Sequence, residues 1–307
     1  MKKLTLGASG LQVPVVAVGC MRITGLDAAA AARFIGTALE LGLNFFDHAD
    51  IYGDGECERF FAEAAQMSPS LRGKFFIQSK CGIRKGVCYD FSKEHILRSV
   101  DGILSRLRTD YLDVLLLHRP DALMEPDEVA AAFDALAASG KVRAFGVSNQ
   151  TPGTMELLRR SLRQPIVANQ LQLSITNASL IERSLNMNMT DGPAVDRDGG
   201  TLDYCRLNGI TVQPWSPLRH VVDHRVLAEP VVETEGLSVK LAEMSEKYSA
   251  DPTAIAIAWL LRHPAGMMPV VGTTNEGRLR SAAKAAEIVL SREDWYALYL
   301  AAAHRLP

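Results

Sequence analysis

The sequence predicts an α/β chain closed as a (β/α)8 TIM barrel with an N-terminal β-hairpin and extra C-terminal helices. Short apolar or β-branched runs alternate with longer stretches of helical period, and eight such runs can be counted. Those runs are near-continuously apolar, as strands of a parallel sheet covered on both faces must be. Eight strand–helix units need about 250 residues, which fits within the 307 present as one domain, residues 1–307. The doubly wound alternative requires a GxGxxG fingerprint after the first strand, and the stretch that follows it here, GCMRITG, does not supply one.

In order, the expected strands are VVAVG (Val15 to Gly19), LNFFD (Leu43 to Asp47), FFIQSK (Phe75 to Lys80), LDVLLLH (Leu112 to His118), AFGVS (Ala144 to Ser148), PIVANQ (Pro165 to Gln170), ITVQPW (Ile210 to Trp215) and MPVVG (Met268 to Gly272). Amphipathic segments between them begin at acidic or hydroxyl caps, at Asp27, Ser92 and Asp251 for example, and Gly42 and Gly140 stand where helices should stop. Three segments fall outside the repeat. MKKLTLGASGLQVP reads as a hairpin closing the barrel floor, residues 174–201 form a loop long enough to be functional, and the tail from Ser291 to Pro307 holds one more helix.

Composition removes several function classes. Lys plus Arg (33) nearly balances Asp plus Glu (35), leaving a net charge of -2 with no basic stripe for nucleic acid. The N-terminus is too weakly apolar for a signal peptide, no run approaches a membrane span, and five cysteines without a CxxC pair suit reduced thiols. A cytoplasmic protein with a small-molecule partner is expected. Scattered apolar residues say nothing of oligomeric state.

In a barrel of this kind catalytic groups come from the C-terminal strand ends. The second run closes on Asp47, the third on Lys80 and the fourth on His118, with Tyr52 five residues beyond Asp47. Each alone reads as a cap or a solvated charge. Four groups of complementary type read as a site.

The segments NFFDHADIYGDGECE, FFIQSK, YLDVLLLHRPD, GKVRAFGVSNQTPGTMELL, NQLQLS, QPWSPL and PVVGTTNEGRLRSA, in this order and spacing, resemble the aldo-keto reductases over nearly the whole chain, and the bacterial branch carrying LLHRPD and WSPL most. The resemblance implies NADPH-dependent reduction of aldehydes or ketones, with NAD as the lesser alternative. Tyr52 is then the proton donor, Lys80 lowers its pKa, Asp47 keeps Lys80 charged and His118 orients the carbonyl. It also implies an extended nicotinamide nucleotide, with Ser148, Asn149 and Gln170 on the carboxamide and Trp215 stacked on the ring. Ser216, Pro217, Leu218 and Arg219 would line the pyrophosphate, and Met21 and Arg22 the ribose side beside Asp47. Gly272, Thr273, Thr274, Asn275 and Arg278 would hold the adenosine phosphate, through free backbone amides and the Arg278 charge. The chain departs from the family at Gly272, where many members have lysine, and at Ala282, where many have asparagine. Arg280 could compensate, although a helix charge at that place reads first as a solvated one.

Other signals carry less. His220 and His224 have the i,i+4 spacing of a helical metal pair, but nothing completes the set. Asp191, Asp196 and Asp198 miss the order of a calcium loop, and HRPD lacks the other kinase elements. No metal is expected. A low-turnover nucleotide sensor on the same scaffold is the alternative to an enzyme. An isomerase or lyase would need a metal or a carboxylate pair at the mouth.

Overall fold

The computed structural model describes residues 1–219, 221 and 235–307. The N-terminal hairpin is β1 (Lys3–Thr5) and β2 (Gln12–Pro14), paired antiparallel. The barrel strands follow as β3 (Ala17–Gly19), β4 (Phe45–Asp47) and β5 (Phe76–Cys81). After a small antiparallel ribbon, β6 (Ile83–Arg84) and β7 (Cys88–Tyr89), come β8 (Leu112–Leu117), β9 (Val142–Ser148), β10 (Ile166–Gln172), β11 (Thr211–Trp215) and β12 (Val270–Val271). The eight barrel strands close in the order β10-β11-β12-β3-β4-β5-β8-β9, all parallel. All eight expected strands are therefore present, with bounds moved by one or two residues at most ends.

The helices are α1 (Ala28–Glu40), α2 (Glu56–Ala64), α3 (Pro69–Arg72), α4 (Lys93–Leu107), α5 (Pro126–Ala138) and α6 (Pro152–Arg159). They continue with α7 (Ser179–Leu185), α8 (Thr201–Leu207), α9 (Glu235–Tyr248), α10 (Pro252–Arg262), α11 (Glu276–Ala285) and the tail helix α12 (Arg292–Ala301). The caps behave as their chemistry requires: Asp27, Ser92, Asp251 and Ser291 each accept a hydrogen bond from a first-turn amide. None of the described helices is long and apolar enough to cross a membrane.

Two apolar layers hold the barrel. The outer layer packs helices on strands, through residues such as Phe34, Phe61, Phe133 and Trp259. The inner layer fills the barrel from below with Ala17, Phe45, Val114, Leu116, Val167 and Met268, and Leu6 and Val13 of the hairpin join it. Gly7 shows why the hairpin fits: its amide donates to Thr211 Oγ1 at 2.9 Å, and a Cβ there would sit 2.3 Å from the Val167 carbonyl oxygen. Only glycine tolerates that approach at φ +48°. The hairpin is thus the expected floor plug. The loop between β10 and β11 contains α7, a 3-10 turn at Gly192–Ala194 and the start of α8.

Candidate active site

The chain beyond β4 is stapled to β5, because the amide of His48 donates to Gln78 O (2.8 Å) and that of Asp50 to Lys80 O (3.0 Å). The Tyr52 amide then donates to Ala49 O, closing a turn continued by Gly53, Asp54 and Gly55, all at positive φ. This turn carries the Tyr52 hydroxyl to 3.2 Å from Lys80 Nζ. The ammonium, fully buried, also donates to Asp47 Oδ2 at 2.7 Å and His48 O at 2.8 Å. His118 follows the last residue of β8, its ring edge-on to Tyr52 with centroids 5.9 Å apart. The four residues singled out in the sequence therefore meet at one strand-end mouth.

Their electrostatics follow from burial and proximity. Burial pushes the Lys80 pKa down, but Asp47 and then Tyr52 outweigh it, so the ammonium holds its proton above the usual lysine range. The expected net lowering of the Tyr52 pKa is not found: burial raises it above the usual phenol value, and Lys80 opposes this without overturning it. At neutral pH the phenol is protonated. Burial, then the charges of Lys80 and Arg119, hold His118 down to about 2, so its imidazole is neutral. Its Nδ1 is buried and, among the described residues, has no hydrogen-bond partner.

The sequence did not reveal the amide network beneath this cluster. Gln78 on β5 and Gln170 on β10 both donate to Asp47 Oδ1, at 2.6 and 3.1 Å. Both also donate to Gln213 Oε1 on β11, and Gln213 returns a bond to Gln78 Oε1 at 3.1 Å. With Lys80 on the other oxygen, the buried carboxylate is fully satisfied and cannot swing. Also unforeseen is Glu58 of α2, buried between Ser79 Oγ (2.7 Å) and Arg106 Nε (2.7 Å). Burial raises its pKa, and burial together with Glu58 drives that of nearby Asp50 up to about 7.

Around the mouth, Ser148 Oγ donates to Gln170 O (3.0 Å), Asn149 Nδ2 to Ser148 Oγ (2.8 Å) and Trp215 Nε1 to Asn149 Oδ1 (3.1 Å). Asn149 and Ser216 lie at positive φ (58° and 52°), backbone strain of the kind found at binding sites. Among the described residues these bonds leave one Asn149 amide hydrogen and the Gln170 Oε1 acceptor, the complement of a primary amide. Arg22 reaches from the end of β3 to Gly272 O at 3.3 Å, and Met21 is half exposed beside it. Pro217, Leu218 and Arg219 form a turn closed by the Arg219 amide on Ser216 O; the Leu218 side chain packs in the core, so only its backbone can face a ligand.

At the end of β12 one expectation is corrected. The Asn275 amide is not free: it donates to Thr273 Oγ1 at 3.1 Å, and Asn275 Oδ1 in turn caps α11 by accepting from the Arg278 amide. Among the described residues the Thr273 and Thr274 amides remain uncommitted. Arg278 and Arg280 are exposed, and Ala282 is buried in the core. These groups fit a dinucleotide with an extra phosphate: amide-complementary atoms at one end, free amides and a guanidinium at the other.

Elsewhere, Arg183 lies within 4.0 Å of Asp196, Asp198 and Asp203, and Asp191 is 3.5 Å from Arg305. Among the described residues no group of three or more side chains could hold a metal ion. His220 and His224 lie outside them.

The Aldo/keto reductase family model matches residues 15–299. The chain belongs to that family. It is 36% identical to the uncharacterized oxidoreductase YcsN of Bacillus subtilis (strain 168) over 98% of each chain. It is 34% identical to the oxidoreductase YdhF of Escherichia coli (strain K12), again over 98% of each. A 6-dehydroglucose reductase of Novosphingobium aromaticivorans is 32% identical over 98% of this chain and 96% of its own. Among solved structures, a thermostable aldo-keto reductase, Tm1743, in complex with the inhibitor epalrestat superposes with TM-score 0.78 at 28% identity, covering 98% of this chain and 100% of that one. On the family match and these relatives, the chain is an oxidoreductase of aldo-keto reductase type.

Proposed function

We propose that this enzyme reduces aldehydes or ketones to alcohols with NADPH, Tyr52 acting as general acid. The observation that carries the reading is the Tyr52–Lys80–Asp47 chain of contacts, 3.2 and 2.7 Å, opening beside a neutral His118. A protonated phenol is the form a general acid needs, and the ammonium beside it stabilises the phenolate as the proton leaves. His118, uncharged, donates a hydrogen bond to the carbonyl oxygen without competing as an acid. When bound, NADPH supplies hydride to the carbonyl carbon. Tyr52 delivers the proton to oxygen and regains one from solvent after the alcohol departs. Ser148, Asn149 and Gln170 hold the carboxamide, and Trp215 backs the ring. Arg278 with the Thr273 and Thr274 amides takes the 2′-phosphate, which favours NADPH over NADH. Solved structures of the same fold contain NADP or NADPH.

The test is NADPH consumption with a panel of aldehydes and ketones, comparing wild type with Tyr52→Phe. Loss of kcat by about 10²-fold to 10⁴-fold with the phenol removed is expected. Equal, slow consumption by both proteins would instead identify a nucleotide sensor.

A further inference from the structure

Resting on the reductase reading, we propose that Arg119 is a specificity-determining residue that selects carbonyl substrates carrying a carboxylate. Arg119 leaves the chain two residues past the end of β8, yet its guanidinium carbon lies over the Trp215 ring at the end of β11, 5.7 Å from the centroid. Between those strands the barrel places β9 and β10. The side chain therefore reaches across the mouth, and its charge stands above the opening.

Nothing described there neutralises it. Among the described residues Arg119 has no hydrogen-bond or ion-pair partner. The nearest acid along the chain, Asp121, gives Oδ2 to the Phe91 amide (2.8 Å) and Oδ1 to the Leu123 amide (2.9 Å). The charges of Asp47 and Lys80 cancel as a 2.7 Å pair, and Tyr52 and His118 are neutral, so the base of the mouth offers no compensating anion. At 5.7 Å from the ring centroid the guanidinium is held near the indole without being packed flat on it, and its N–H fork matches a carboxylate with two parallel hydrogen bonds. A neutral substrate filling the mouth would strip water from those donors and return nothing, which is how a polar site rejects an analogue lacking its partner. The cation also draws anions towards the opening, an effect that added salt screens.

The probes are 4-carboxybenzaldehyde and its methyl ester, which differ in one charge; the ester is the more electrophilic aldehyde, so a preference for the acid reports recognition of the carboxylate and not intrinsic reactivity. Wild type should favour the acid in kcat/KM by about tenfold or more. Arg119→Gln should bring the ratio to unity or below, chiefly through KM for the acid, and Arg119→Lys should keep part of it. Without turnover, calorimetric binding of 4-(hydroxymethyl)benzoate, the reduced product, should weaken by a similar factor in Arg119→Gln and with rising salt in wild type only. Equal kcat/KM for acid and ester in wild type, or an undiminished ratio in Arg119→Gln, would overturn the role of Arg119 while leaving the reductase reading intact. Reduction of neither aldehyde, nor of any other carbonyl, would overturn that reading itself.

Discussion

Removing the Lys80 charge should damage catalysis badly, and removing the Asp47 charge as well should repair much of the damage. Lys80 Nζ stands 3.2 Å from the Tyr52 oxygen. At an effective dielectric of about 20, unit charges so placed attract by about 5 kcal/mol, which is what Lys80→Met takes from a developing phenolate. Asp47 Oδ2, 2.7 Å from the same ammonium, is then no more than about 6 Å from the phenol oxygen and repels the phenolate by about 3 kcal/mol. The single variant keeps that repulsion and leaves a buried carboxylate unpaired, a loss of about 3–5 kcal/mol in stability. Adding Asp47→Asn removes both penalties. The double variant should therefore recover kcat by up to about 10²-fold over Lys80→Met while remaining below wild type. Steady-state reduction at saturating substrate and NADPH measures this, with urea unfolding to follow stability. A double variant slower than Lys80→Met, with both proteins folded, would refute the electrostatic account of the cluster.

Two further predictions concern the frame around the site. His48 is fully buried against Phe61, both ring nitrogens lack partners among the described residues, and burial followed by Lys80 holds its pKa down from 6.5 to about 3. The unfolded chain takes up a proton below about pH 6.5 that the folded protein refuses until about pH 3, so this residue costs stability as pH falls through that window. His48→Leu should add about 1–2 kcal/mol at neutral pH and more at about pH 4, and a urea midpoint unchanged or lowered at both would contradict the burial assignment. Gly7→Ala drives a Cβ to 2.3 Å from the Val167 carbonyl at φ +48° and should destabilise by more than about 2 kcal/mol, with faster amide exchange at Leu6. Unchanged exchange there would show that the hairpin does not seal the floor as described.

The strands were legible because a parallel barrel buries them on both faces, so β8, LDVLLL, is buried at every position and reads as an apolar run broken only by Asp113. Asp47, Lys80 and His118 were legible because an ionisable group ending an apolar run has few structural excuses, and Tyr52 because it follows one of them by five residues. Gln78 and Gln213 were not: an amide inside a strand looks like ordinary alternation, and their 135-residue separation is closed only by the barrel. Glu58 sits in a helix as exposed charges do, and its partner Arg106 lies 48 residues away. Arg119 carried no signal of its own in HRPD, because only the barrel brings it near Trp215. The capture of the Asn275 amide by Thr273 did have a local signal, since a hydroxyl two residues back commonly takes a turn amide. Leu218 shows the limit of motif reading, for a string can mark the rim while its apolar side chain turns inward.

The hairpin stopper makes the barrel a blind well. A substrate must therefore leave by the opening through which it came, and so must the proton exchanged with solvent. Any ligand lodged across the Trp215–Arg119 span would block that mouth, making competition at the rim a more direct route to inhibition than distortion from beneath.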